Sequence, residues 1–277
     1  GGNRPKIIIA DTVKGRGVSF MEHTSLDSDV AMYRFHSGAP DAVNYRRAAQ
    51  ELLDRIGQRL AALGAAPLAV ETVTRPATAP ATNVVQRMIP AYSAALLALA
   101  DRHPELVALD ADLILDTGLI PFREKHPDRF IECGIAEQDM VSMAGGMALN
   151  GLTPVVHSFA CFLSSRPNEQ IYNNATEHTR VVYVGSLAGA VPGGPGHSHQ
   201  AVRDISSLAG VPGMVLLEPS CEAEVAMALD YCVETHPGPS YLRLVSIPCD
   251  IPYALPAGYT LRPGRGVTLT EGRDALL

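Results

Sequence analysis

The sequence predicts a doubly wound α/β fold built on a mostly parallel sheet. From residue 83 onward, short apolar runs alternate with segments of helical period, and that alternation places helices on both faces of a parallel sheet. Apolar residues make up 47% of the chain and charged residues 18%, enough for a substantial core.

Residues 6–10 (KIIIA) form an apolar run suited to a central parallel strand. A polar, glycine-rich loop follows at 11–17, and 21–40 shows no clear period. One strand cannot hold itself together, so this start reads as the tail of a partial domain. Residues 41–63 have helical spacing, with Tyr45, Ala49, Leu52, Leu53, Ile56 and Leu60 on one stripe. Asp41, just after Pro40, is placed to cap that helix. Residues 64–82 hold Pro67, Pro76 and Pro80 among small residues and read as an interdomain linker.

The alternation then begins. A helix is expected over 90–103 with Pro90 in its first turn. A strand over 106–109 leads into an acidic loop with Asp110, Asp112 and Asp116. A short helix (119–126), a buried strand (130–133), a helix (136–149) and a strand (153–157) follow. One helix is expected over 162–178 and a strand over 180–184. The glycine- and proline-rich loop 185–199 precedes a helix (201–209), a strand (214–217), a helix (221–234) and a strand (241–245). After Pro248 the pattern loosens; 259–271 reads as extended, and 274–277 as a strand just starting. Four parts are expected: 1–40, 41–82, 83–255 and 256–277.

Composition narrows the function. Net charge is −7 with no basic cluster, which argues against a nucleic-acid or anionic-membrane partner. No run of about 20 apolar residues predicts a transmembrane helix, and no signal peptide is visible in a chain that does not begin with methionine. The five cysteines, Cys133, Cys161, Cys221, Cys232 and Cys249, form no CxxC pair. They read as small buried hydrophobes in a reducing, cytoplasmic setting.

The stretch 133–140 (CGIAEQDM) is the chemical centre of the reading. Gly134 marks a turn between strand and helix, and Glu137 lies at the mouth of that junction among apolar side chains. Such surroundings raise a carboxyl pKa and let it share a proton with a ring nitrogen. The competing reading is a helix-start carboxylate favoured by the helix dipole. Phe159 and Phe162, close to a strand end, either stack on a flat ring or pack the core. The loop 193–199 ends in His197 and His199, which suit proton transfer near neutral pH and make a weak metal pair. Arg243 lies within an apolar run and must meet an anionic ligand or a carboxylate. Asp112 is a loop acid after a strand, with the same ambiguity. All of these fall at the carboxyl ends of predicted strands, where ligands sit in such sheets. Serine-hydrolase, P-loop and dinucleotide fingerprints are missing from the sequence.

An ordered set of motifs then resembles the transketolase family of thiamine-diphosphate enzymes. In order they are 14–22 (KGRGVSFME), 36–40 (HSGAP), 110–113 (DADL), 134–138 (GIAEQ), Ser158-Phe159 with Phe162, His199-Gln200 and 241–244 (YLRL). The resemblance implies that 1–40 is the tail of a diphosphate-binding domain and 83–255 a pyrimidine-binding domain. Residues 256–277 would then start a C-terminal domain. It implies transfer of a two-carbon ketol unit from a ketose or ketose phosphate to an aldose by way of the thiamine-diphosphate ylid. Glu137 would meet the aminopyrimidine, Phe159 and Phe162 would hold its ring, and Asp112 would lie near the cofactor. His36 and His199 would bind donor-sugar oxygens and move protons, and Arg243 would bind an anionic end. The family's glycine–aspartate metal motif is not in this chain, so Mg²⁺ ligands are expected outside it. A homodimer, or a heteromer with a diphosphate-domain subunit, is implied. Pro195, Asn83 and Asp116 stand where the family pattern has other residues, which points to a substrate other than the ordinary pentose phosphates. The alternatives are a deoxyxylulose-phosphate-synthase-like or 2-oxo acid dehydrogenase β-like reaction, or a non-catalytic partner subunit.

Overall fold

The structure is a computed structural model that describes residues 12–22, 35, 40–71, 85–251, 253–269 and 271–272. The expected strand at 6–10 and the candidate His36 lie outside the described residues. The chain divides into two compact units, Gly1–Pro80 and Ala81–Leu277.

In the first unit, α1 (Ala42–Ala62) begins where the sequence places it. The Asp41 carboxylate accepts from the Val43 and Asn44 amides, each at 2.9 Å, and so satisfies two orphan donors of the first turn. Of its apolar stripe, Tyr45, Leu52 and Ile56 are exposed.

The second unit is organised by a six-stranded sheet. Its strands are β2 (Leu106–Asp110), β3 (Phe130–Glu132), β4 (Thr153–Phe159), β5 (Val182–Ser186), β6 (Val215–Leu217) and β7 (Ser240–Arg243). The order is β3-β2-β4-β5-β7-β6, and every pairing is parallel. A separate antiparallel pair joins β1 (Val85–Gln86) to β8 (Cys249–Asp250). The sheet is the predicted doubly wound α/β type. β3 differs from expectation: it is an edge strand and only partly buried.

Helices cover both faces. On one, α5 (Glu137–Leu149), α6 (Ala160–Ser165) and α7 (Asn168–Thr176) bring Met140, Val141, Leu163 and Ile171 against Leu109, Val156, Tyr183 and Tyr241. On the other, α2 (Met88–Arg102) packs on α9 (Glu222–Asp230). There Tyr92 of α2 reaches His157 of β4, with 2.6 Å between its hydroxyl oxygen and Nε2.

One expected helix is two. The segment 162–178 breaks at Arg166 and Pro167, because proline has no amide hydrogen and cannot continue the helical ladder. Helix α9 likewise stops at Asp230 and closes in a π-turn, Tyr231–Thr235. Among the described residues, no helix is long and apolar enough to cross a membrane.

Because all six strands run the same way, their carboxyl ends form one rim. The chain reverses direction across the sheet between β2 and β4, which is where crevices open in such folds.

Candidate active site

Glu137 is the first residue of α5 and only 4% exposed. The turn before it depends on Gly134, whose φ of 67° suits glycine. Arg166 Nη1 donates to Glu137 Oε1 at 2.5 Å. The Arg166 guanidinium carbon lies 3.8 Å from the centroid of the Phe162 ring. Phe162 stands 5.8 Å from Phe159 and 5.1 Å from the His199 ring, and Phe159 is 5.9 Å from His199. The structure therefore gathers Glu137, Phe159, Phe162 and His199 through one arginine. A cavity of about 410 Å³ opens between Ile135, Ala136, Glu137, Gln138 and Arg166. The sequence reading set a shared proton against a helix-start carboxylate; Glu137 does start α5 and also meets a cation, the partner a buried carboxylate needs.

Asp112 stands at the end of β2 in a left-handed conformation, φ 61°. Its amide donates to Glu132 Oε1 at 2.8 Å, and the same oxygen accepts the Gly134 amide at 2.9 Å. One carboxylate thus ties the Asp112 loop to the turn ahead of Glu137. In the neighbouring loop, His199 Nδ1 is 3.0 Å from Ser198 Oγ, and Gln200 Nε2 donates to the Ala190 carbonyl at 2.8 Å. His197 joins none of the ring contacts made by His199.

Arg243 meets partners within the chain. Its Nε donates to Asp204 Oδ2 at 2.7 Å, Nη2 donates to the Ala201 carbonyl at 3.1 Å, and Nη1 pairs with Glu218. The Tyr241 hydroxyl also donates to Asp204 Oδ2, at 2.9 Å. All three guanidinium nitrogens are thus engaged inside the chain, one bond each, and Nη1 and Nη2 each keep a second N–H. Of the two partners the sequence left possible, carboxylates take it. Gly185 permits this, since a Cβ there would lie 2.5 Å from the Tyr241 hydroxyl oxygen.

Beneath the rim, Asp110 closes β2. It accepts from the Leu113 amide at 2.6 Å and the Thr117 hydroxyl at 2.9 Å. Burial pushes its carboxyl up to about 7, against those two hydrogen bonds. His157 is fully buried, and burial pushes its imidazole down to about 4. Nδ1 faces the Leu109 carbonyl at 3.0 Å, so Nδ1 carries the proton and Nε2 accepts from Tyr92.

These two groups act oppositely on stability. Asp110 holds a proton in the folded chain that the unfolded chain loses from about pH 4, so its contribution falls as pH rises toward about 7. His157 is neutral when folded while the unfolded chain stays protonated to about pH 6.5, so its contribution rises with pH from about 4. Asp110→Asn removes the falling contribution. Urea unfolding from pH 4 to 7 should show the variant gaining on the unaltered chain as pH rises, at up to about 1.4 kcal/mol per pH unit. Parallel curves would mean that Asp110 is already ionised in the folded chain.

Sequence reasoning missed Arg166, Glu132 and Asp204. Pro167 was the one available signal, because a break there puts Arg166 at a helix end beside the rim.

The family described as "Transketolase, pyrimidine binding domain" matches residues 86–246. An uncharacterized transketolase family protein of Sinorhizobium fredii is 36% identical over 187 residues, covering 67% of this chain and 53% of that protein. A 1-deoxy-D-xylulose-5-phosphate synthase of Prochlorococcus marinus is 34% identical, covering 67% of this chain and 29% of the synthase. This chain thus spans about half, or less than a third, of these relatives. Among solved structures, a split-gene transketolase described as an inactive β4 tetramer has a TM-score of 0.58 and 31% identity, covering 69% of this chain and 60% of that one. Transketolase from Campylobacter jejuni, at 18% identity and a TM-score of 0.55, covers 60% of this chain and 26% of its own, and shows a shared fold. The match over 86–246 takes in the whole rim from Asp112 to Arg243, and the chain belongs to the transketolase family, carrying its pyrimidine-binding domain.

Proposed function

We propose that this chain is the pyrimidine-side part of a thiamine-diphosphate enzyme that moves a two-carbon ketol unit from a ketose or ketose phosphate to an aldose. The observation that supports it is Glu137: a carboxylate buried at a helix start, lining a cavity with Arg166, whose guanidinium stacks on Phe162 next to Phe159 and His199. An aminopyrimidine offers the ring nitrogen and flat face that such a set can receive, so the residues fit the group. When bound, thiamine diphosphate supplies a carbon nucleophile and an electron sink.

The chain's own residues then have separate tasks. Glu137 holds a proton on the ring nitrogen, Phe159 and Phe162 keep water from the ring faces, and Asp112 lies close by. His199 moves a proton at a donor-sugar oxygen, and His36 is assigned the same task from its motif. Arg243 is assigned to an anionic end of the sugar from its motif; its pairing with Asp204 and Glu218 favours a less phosphorylated substrate. Mg²⁺ and the diphosphate are assigned to a partner that brings the diphosphate-binding domain. The split-gene relative and the partial coverage of the relatives support a heteromer; a homodimer of a longer chain is the other arrangement.

A second reading, formation of deoxyxylulose phosphate, draws on the 34% identity with a synthase of that product. Calorimetric titration of the native assembly with thiamine diphosphate and Mg²⁺ should show saturable binding, and its absence would leave a non-catalytic partner. Product analysis with free and phosphorylated sugars separates the two reactions. A strict preference for ordinary pentose phosphates would count against the substrate assignment.

A further inference from the structure

The side chain that connects the acid to the aromatic wall is Arg166, and resting on the thiamine-diphosphate reading, we propose that it is the positioning residue of the site. Its planar guanidinium does two things at once. One edge donates to Glu137 Oε1 at 2.5 Å, and one face lies 3.8 Å from the Phe162 centroid. The backbone beneath it is constrained as well. Arg166 caps α6 with φ −68° and ψ −52°, and Pro167 then ends the helix.

Two consequences follow for Glu137. Its carboxylate cannot rotate freely, because Oε1 is held. Oε2 makes no hydrogen bond with any described residue, and it is the oxygen left for a ring nitrogen in the cavity that Arg166 and Glu137 line together. Arg166 also fixes how far the acid stands from Phe162, the ring expected to meet the same heterocycle. The side chain of Arg166 is 41% exposed, while Glu137 is 4% exposed, so the arginine holds the acid from the open side of the site. Lysine could keep the charge but not the flat stack and the directed bond together.

The test uses the native assembly with thiamine diphosphate and Mg²⁺, comparing the unaltered protein with Arg166→Gln and Arg166→Lys. Misplacing a reacting group by 1 Å costs on the order of 10²-fold, so exchange of the cofactor C2 proton should fall by about that factor in Arg166→Gln. Arg166→Lys should recover part of it, and calorimetric affinity for the cofactor should change far less than exchange. In the cofactor-free protein, the ¹³C carboxyl signal of Glu137 and the ring signals of Phe162 should move together in both variants. Unmoved signals, unaltered exchange, or affinity and exchange falling by the same factor would each overturn the positioning role while thiamine-diphosphate binding stands. Failure of the unaltered assembly to bind thiamine diphosphate would overturn that reading and this inference together. If Arg166→Gln does not fold, Arg166→Lys carries the same comparison.

Discussion

Replacing Glu137 with glutamine should leave the chain folded and slow C2 proton exchange on bound thiamine diphosphate by roughly 10²-fold or more. The two side chains are nearly the same size, and the amide oxygen still accepts from Arg166, so the start of α5 keeps its packing. What is lost is the acid itself. An amide cannot hold or share a proton with a ring nitrogen, and acid–base assistance of this kind is worth about 10²- to 10⁴-fold. NMR of deuterium exchange at C2, with far-UV circular dichroism as a folding control, makes the measurement. A folded variant that exchanges at nearly the unaltered rate would remove Glu137 from its assigned task, and the thiamine reading would lose its main support.

Asp204→Ala should be strongly destabilising, by about 3 kcal/mol. Asp204 is 2% exposed and accepts from both Tyr241 and Arg243, whose side chain is 12% exposed. Its removal leaves a nearly buried guanidinium short of a partner and a buried phenol without an acceptor. Breaking one side of a buried pair typically costs about 3–5 kcal/mol. The lower end applies here because Glu218, 44% exposed, still holds Nη1. Asp204→Asn keeps an acceptor for Tyr241 and should lose less. Urea unfolding of the three proteins gives the comparison through their midpoints. A loss below about 0.5 kcal/mol, the scale of an ordinary surface substitution, would mean that Arg243 is not committed to this network in solution.

The order of the elements was legible in the residues because it depends on local pattern. Apolar runs and 3.6-residue periods are written within a dozen neighbours, and they place the strands from 106 to 245 and most of the helices. The rim was legible for a related reason. In a parallel sheet every strand ends on the same side, so Asp112, Glu137, Phe159, His199 and Arg243 could be assigned to one edge without knowing the strand order. The break at Arg166 and Pro167 was also written locally, in the proline, although the apolar pattern on either side concealed it.

The partners of the charged groups could not be read this way. Arg166 meets Glu137 from 29 positions away, and Arg243 meets Asp204 from 39. Those separations cross helices and neighbouring strands, so the pairings depend on the β3-β2-β4-β5-β7-β6 order and on its registers. A periodicity says which way a side chain faces, but it carries no information about what waits there. Residue types therefore told where polar groups would gather, while folding in three dimensions chose which charges neutralise one another.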